Sequence, residues 1–288
     1  GLGDVYKRQI EYDAIQPLQV QRNLMIRNHP GLFIAGQILG TSGYEEAAGA
    51  GLLAGINASL YIDNKPWFTL RRDQAYLGVM IDDLVTKGTK EPYRLLSSRS
   101  EYRLITRSDN ADERLIKIGY DLGLNSKDRY DKYLKRMDEL KVAEHALDTI
   151  YVGLNEKTPK YLESVGETKP IGSTSYKELL KRPKVTYEGL QQCEPKLPVL
   201  SSDLGVKIET NVKYKGYIDL EEKDVEKMQA MESLILPQDL DYSKVEGISL
   251  EAREKLNKIK PKTIGEASRI TNVHPADIDR LLFLIRKK

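Results

Sequence analysis

The sequence predicts a mainly α protein with a strand, glycine turn and helix near its start, a helical region after it and three short helices at its end. Three observations carry this prediction. An apolar run, a glycine cluster and a small-residue helical pattern succeed one another over residues 32–61. Helical periodicity dominates most of the chain beyond residue 61. Three short capped patterns then end the chain. A length of 288 residues suits about two domains of roughly 100–200 residues each, and 40% hydrophobic content can supply a core.

Composition narrows the function classes. Lys and Arg number 45 against 43 Asp and Glu, a net charge of +2, so a nucleic-acid site must be a local patch. The least polar stretch, 49–62, contains Asn57 and falls short of the roughly 20 apolar residues of a membrane span, so no membrane association is expected. The single cysteine, Cys193, excludes an internal disulfide framework, and His29, His145 and His274 lack zinc-ligand spacing. No metal site is expected, and a reducing cytoplasm is the expected location. Seventeen Tyr against three Phe and one Trp place aromatic bulk on rings with a polar tip, which suits RNA contact as well as cores.

Residues 1–9 begin without Met and carry no periodicity into the next segment, so they read as a foreign junction, with native sequence starting near Ile10. Leu32 to Ala35 reads as a strand, Gly36 to Gly43 as a glycine turn, and Tyr44 to about Tyr61 as a helix. Glycines let backbone approach a ligand, and the free N–H groups of a helix start favour an anionic or electron-rich group such as a phosphate or a flavin edge. Ala47, Ala48, Gly51, Ala54, Gly55 and Ala58 give the helix a nearly flat side. The spacing is not G-x-G-x-x-G, and the residues alone leave open whether that side packs on a ligand or on protein.

The pattern Gly36-Gln37-x-x-Gly40-x-x-Gly43-Tyr44-x-Glu46-Ala47-Ala48-x-x-Gly51-Leu52-x-Ala54-Gly55-x-Asn57-Ala58 closely resembles the signature of the GidA/MnmG family, flavoproteins that modify the wobble uridine of certain tRNAs. The likeness continues through Arg72 and Gln74, Ala75 to Val79, Asp82-Asp83-Leu84, Gly88 to Arg94, Ser98-Arg99, Glu101 to Leu104, and Arg107 to Leu115. It covers residues 10–288 and is weakest near 150–180. A related folate-dependent tRNA methyltransferase family shares the glycine block but lacks the long helical extension.

This resemblance implies the C-terminal end of an FAD-binding α/β, Rossmann-like domain at residues 10–75, a helical tRNA-binding region at 76–236 and a helical bundle for partner docking at 237–288. It implies an enzyme using FAD, NADH and methylene-tetrahydrofolate to add an aminomethyl or carboxymethylaminomethyl group at uridine C5. A tRNA-modification GTPase of the MnmE type would be its partner, and a homodimer its assembly. Gly36, Gln37, Gly40, Gly43 and Tyr44 would line the flavin side of the cofactor site, where the Gln37 amide can both donate and accept. In such proteins the G-x-G-x-x-G fingerprint and the reactive cysteines lie upstream of the region represented here. No catalytic residue is therefore assigned, Cys193 is read as inert, and this chain alone is expected to be inactive and to hold FAD weakly.

Arg99, Arg103 and Arg107 recur at i, i+4 and i+8, which on a helix places them within about 80° of one another. With Lys90 and Arg94 against Glu91 and Glu101, residues 90–107 carry a net +3. With the family resemblance, Arg94, Arg99, Arg103 and Arg107 are the expected RNA-binding residues, gripping phosphates while Tyr93 and Tyr102 stack on an unpaired base. The competing reading is a face salt-bridged to Asp109, Asp112 and Glu113.

Tyr130, Tyr133, Leu134, Met137, Leu140 and Leu147 predict one amphipathic helix from Lys127 to about Ile150, capped by Ser126, with its stripe in the core. Residues 152–203, with five prolines, predict short helices, loops and a hinge. Residues 205–217 alternate like a strand yet lie in a helical setting, so their conformation stays open. Further helices are expected at Glu221–Leu234, from Ser249 to Ile259, after the Thr263-x-x-Glu266 capping box, and from Pro275 onward. A helix-turn-helix reading for DNA is opposed by Asp277 and Asp279 at the start of the would-be recognition helix. Leu281, Leu282, Phe283 and Ile285 offer surplus apolar surface for a protein partner. The alternative function is a stand-alone RNA- or protein-binding helical module without catalysis.

Overall fold

The computed structural model describes residues 13–89, 91–154, 156–170, 172–237 and 239–286; the expected junction at 1–9, Lys90, Lys287 and Lys288 lie outside them. The chain is mainly helical, and the β contacts among the described residues are isolated bridges. It divides into two units, one comprising the residues up to Thr106 with those from Lys223 onward, the other Arg107–Glu222.

In the first unit, the segment expected as a strand is an extended stretch held by single contacts. Phe33 bridges Met25, and the Ile34 N–H donates to the Leu24 carbonyl at 2.9 Å. Helix α1 is Tyr44–Ile62. It buries Ala50, Leu53, Ala54 and Asn57, not the flat side as a whole, since Gly51 and Gly55 are exposed. Asn57 acts as a substitute backbone: its amide donates to the Leu53 and Phe68 carbonyls at 3.1 and 2.9 Å and accepts the Phe68 N–H at 2.8 Å. A buried polar side chain persists there because each bond capacity used is met. Helix α2 is Tyr76–Thr86, and every residue from Gly78 to Thr86 is buried. Met80, Ile81, Leu84, Val85 and Tyr93 share a core with Val20, Leu24, Leu39 and Leu53, which is why no boundary falls after residue 75.

The second unit contains α3 (Ala111–Asp121), α4 (Lys127–Thr149), α5 (Lys157–Ser164), α6 (Tyr176–Leu180), α7 (Tyr187–Cys193) and the opening of α8 (Ser202–Ser233). The Ser126 hydroxyl accepts the Arg129 N–H at 3.3 Å, as expected of the cap. Leu140, Ala143 and Leu147 are buried, but Leu134 is 42% exposed and lies off the core stripe. Prolines keep α5 to α7 short, yet Leu162, Tyr176, Leu179, Leu180, Val185, Tyr187, Leu190 and Leu197 form most of the core, so residues 152–203 are packed structure and not a loose hinge. Residues 205–217 are helical, because Leu204, Ile208 and Val212 at i, i+4 and i+8 enter the same core. Buried Cys193 has its thiol pushed up by burial, which suits an inert residue.

The remainder of the first unit includes α9 (Leu250–Ile259), α10 (Ile264–Ser268) and α11 (Pro275–Arg286), around a core that contains Leu236, Tyr242, Leu256, Ile264, Ile270 and Leu281. Ser249 and Thr263 cap α9 and α10, accepting the Ala252 and Glu266 N–H groups at 3.2 and 3.0 Å. Glu266 completes the box one residue early, accepting the Lys262 N–H at 2.6 Å. Asp277 is a buried cap and not a surface acid. Its carboxylate accepts the Ser249 and His274 N–H groups at 2.7 and 2.9 Å.

Candidate functional site

Gly36 and Gly40 have φ of +74° and +83°, conformations that side chains resist, and the Gly36 backbone borders open space. Gly36 to Leu39 form one turn of 3-10 helix, closed by the Thr41 hydroxyl donating to the Gly36 carbonyl at 2.9 Å. The chain then enters α1 at Gly43 with no side-chain cap from that residue, and within the first turn the Glu46 carboxylate accepts from its own backbone N–H. Gln37 is exposed beside this turn, and Tyr44 is 97% exposed. An open glycine backbone beside a helix start can approach a flat or anionic group without a Cβ in the way, so the residues present fit one wall of a flavin site.

Glu46 is more than a complement to the helix dipole. It is buried and accepts the Leu95 N–H at 2.9 Å, a bond that holds its carboxyl below the usual range despite burial. The Tyr93 N–H donates to the Gly40 carbonyl at 2.8 Å, and Arg94 lies 4.0 Å from Glu46. Residues 93–95 are thus stitched directly to the glycine turn and the start of α1. A Cβ on Gly43 would overlap the Glu46 carboxylate and the Arg94 guanidinium, so this glycine makes room for protein as much as for a ligand.

The arginines do not form a helical stripe. Residues 97–99 are a single 3-10 turn and 100–110 are turns, because Ser100, Tyr102 and Thr106 are buried and their side chains and backbone bond locally. Arg94, Arg99 and Arg103 are exposed, with Arg99 over the Tyr93 ring at 4.4 Å. Arg107 is only 14% exposed and pairs with Asp109 at 2.9 Å and with the Asn211 side-chain oxygen at 3.1 Å. Tyr93 and Tyr102 are buried at 3% and 9%, so neither offers a face for base stacking.

Motif and spacing alone miss a charged hub. Arg72, buried, donates to Asp82 at 3.0 Å, to Asp83 at 2.8 Å and to Glu101 at 2.7 Å. Asp83 also accepts from Lys87 and from the Tyr93 hydroxyl at 2.8 and 2.9 Å, while Asp82 pairs with Arg22 and Arg269 at 2.5 and 2.7 Å. Arg269 in turn pairs with Glu232. A signal for it is present in the sequence: two adjacent carboxylates inside the apolar run of α2 require buried cations. Among the described residues no His, Cys, Asp and Glu cluster has metal-binding form, and no helix is long and apolar enough to cross a membrane.

A positive-φ glycine turn feeding a helix, bonded to a basic segment and succeeded by helical regions, defines a mainly helical chain that opens on a glycine-turn unit. Three models of one family match this chain: "Glucose inhibited division protein A" over residues 6–66, and the MnmG/GidA C-terminal helical domain and helical bundle of a tRNA modifying enzyme over 127–222 and 224–288. The chain belongs to the MnmG/GidA family. It is 46% identical over 278 residues to the tRNA uridine 5-carboxymethylaminomethyl modification enzyme MnmG of Caldicellulosiruptor saccharolyticus, covering 96% of this chain and 44% of that protein. The MnmG of Clostridium kluyveri is 46% identical over 279 residues, with 97% and 44% covered. The crystal structure of Aquifex aeolicus GidA (form II) matches with a TM-score of 0.78 at 39% identity, covering 94% of this chain and 43% of that one. The chain therefore spans less than half the length of these relatives.

Proposed function

We propose that this chain supplies one wall of an FAD site and the RNA-facing helical part of an enzyme that modifies the wobble uridine of tRNA at C5, installing an aminomethyl or carboxymethylaminomethyl group. The observation that supports this reading is the direct bonding of residues 93–95 to the glycine turn and the start of α1, the Tyr93 N–H donating to the Gly40 carbonyl and the Leu95 N–H to the Glu46 carboxylate, so that the segment carrying Arg94 and Arg99 begins at the glycine turn. Gly36 and Gly40 let the backbone approach the ring system, Gln37 offers a donor and an acceptor, and the first turn of α1 offers N–H groups to electron-rich atoms. When bound, the flavin would supply the redox chemistry, with NADH and methylene-tetrahydrofolate as cosubstrates. Arg94, Arg99 and Arg103 hold tRNA phosphates near that wall; the pairing of Arg107 gives it a smaller share. A GTPase of the MnmE type docks on the C-terminal bundle, and the working assembly is a cytoplasmic homodimer.

The test is the salt dependence of tRNA binding by the 288-residue chain. Arg94→Glu, Arg99→Glu and Arg103→Glu together are expected to lower the slope of log K against log salt by about 2–3, at roughly 0.7–0.9 per phosphate contact. An unchanged slope in a folded triple variant would remove tRNA from this surface.

A further inference from the structure

The first unit contains a cavity of about 530 Å³, a volume suited to a small ligand, whose wall includes none of Gly36–Tyr44 and none of Arg94, Arg99, Arg103 and Arg107. Its charge is one-sided. Arg22 and Glu266, which both line it, pair with each other at 3.3 Å, and Arg22 also pairs with Asp82. Arg27, Lys260 and Lys262 remain, each exposed, and among the described residues none of them has an ion-pair partner. Lys260 sits at the left-handed end of α9 with φ +50°, and the next turn is pinned by the Leu236 N–H donating to the Lys262 carbonyl at 2.8 Å, so the cavity wall is fixed backbone.

Two further features point to a ring-bearing ligand. Trp67 lines the cavity, half-exposed, with one face stacked on Tyr61 at 6.0 Å and 11°. Asn23 also lines it: the residue is 3% exposed, its side-chain oxygen accepts the Met25 N–H, and its amide nitrogen is buried without a hydrogen-bond partner. A buried donor left unpaired costs about 1–3 kcal/mol unless something accepts from it. Cations for a phosphate, an indole for a ring and amides at Gln21 and Asn23 for the edge of a base occur together.

We propose that this cavity binds a nucleoside monophosphate unit, with the phosphate at Arg27, Lys260 and Lys262 and the base against Trp67. The unit can arrive as a free nucleotide or as one residue of single-stranded RNA. Because Trp67 is the only tryptophan, its fluorescence reports occupancy directly. UMP, a short oligouridylate and inorganic phosphate are titrated into the 288-residue chain at constant ionic strength. Saturable quenching by UMP is expected, and Arg27→Glu with Lys262→Glu should weaken it at least about tenfold in a chain whose circular dichroism is unchanged. Trp67→Phe, followed by calorimetry, should weaken UMP but not phosphate. Tighter binding of the oligouridylate identifies RNA as the source, and equal or weaker binding identifies the free nucleotide. The proposal is overturned by no saturable binding at millimolar UMP, by phosphate binding as tightly as UMP, or by unchanged affinity in the double reversal. Arg94→Glu, Arg99→Glu and Arg103→Glu should leave UMP affinity unaltered, which separates this site from the tRNA surface.

Discussion

Arg72→Met removes a guanidinium that is buried among three carboxylates while keeping most of the side-chain length. Breaking a buried ion pair by deleting one partner costs about 3–5 kcal/mol. Here the lower end applies. Asp82 retains Arg22 and Arg269, Asp83 retains Lys87 and Tyr93, and Glu101 is 48% exposed and can rehydrate. A loss of about 3 kcal/mol corresponds to roughly 6–12 °C in the transition of a unit this size, at about 2–4 °C per kcal/mol. The neighbouring Arg71→Met is the control. Its side chain is 47% exposed and pairs with Asp73 alone, so its cost should stay under about 1 kcal/mol. Thermal and urea unfolding at neutral pH, followed by circular dichroism, compare the two. Burial pushes the Asp83 carboxyl up, but Lys87 and Arg72 pull it further down, to a net value below its ordinary one. A depressed folded-state pKa stabilises above the unfolded-state value and is lost as pH falls through the folded one, so the gap between wild type and Arg72→Met should narrow below about pH 4. Equal losses for the two variants, or a gap that widens in acid, would refute the hub.

Other outcomes rest on the same geometry. Asp277→Ala leaves the Ser249 and His274 N–H groups without their acceptor and should cost about 3 kcal/mol, measured by urea unfolding. Burial raises the Asp277 carboxyl, but those two N–H groups outweigh it and hold it low, so this stabilisation too is present above about pH 4 and lost below it. Gly43→Ala should cost about 1–3 kcal/mol by driving Glu46 from the Leu95 N–H, visible as faster amide exchange at Leu95. Gly36→Ala meets no neighbour and should cost only the left-handed backbone, about 1–2 kcal/mol, in a melting comparison. Leu250→Ser with Phe283→Ser, both exposed, should abolish pull-down of the MnmE-type GTPase while tRNA affinity stays within about threefold, roughly 0.7 kcal/mol. Point substitutions serve better here than truncation before Val245, which would strip Arg269 from Asp82.

Local signals were legible in the sequence where one residue decides the structure. Ser126, Ser249 and Thr263 cap the helices their positions announce, and Pro275 opens α11. The glycine turn was legible because Gly36 and Gly40 need left-handed backbone. What failed needed tertiary knowledge. The spacing of Arg99, Arg103 and Arg107 fits a helix, but burial of Tyr102 and Thr106 fixes turns there, and spacing alone carries no information about what a side chain packs against. Residues 205–217 alternate with period two, and only the set Leu204, Ile208 and Val212, with a core beneath it, selects the helix. Sequence spacing does not pair Arg72 and Arg269 with Asp82 and Asp83; only the fold brings them together.

The central claim is that these residues serve flavin-dependent tRNA modification. It is tested most directly by replacing the corresponding 44% of the Caldicellulosiruptor saccharolyticus MnmG with this chain and measuring both bound FAD and wobble-uridine modification by nucleoside mass spectrometry. Stoichiometric flavin and a modified uridine are expected in the hybrid, with both lost on Gly36→Val. A folded hybrid that holds no flavin, or that keeps its flavin unchanged by Gly36→Val, would contradict the claim.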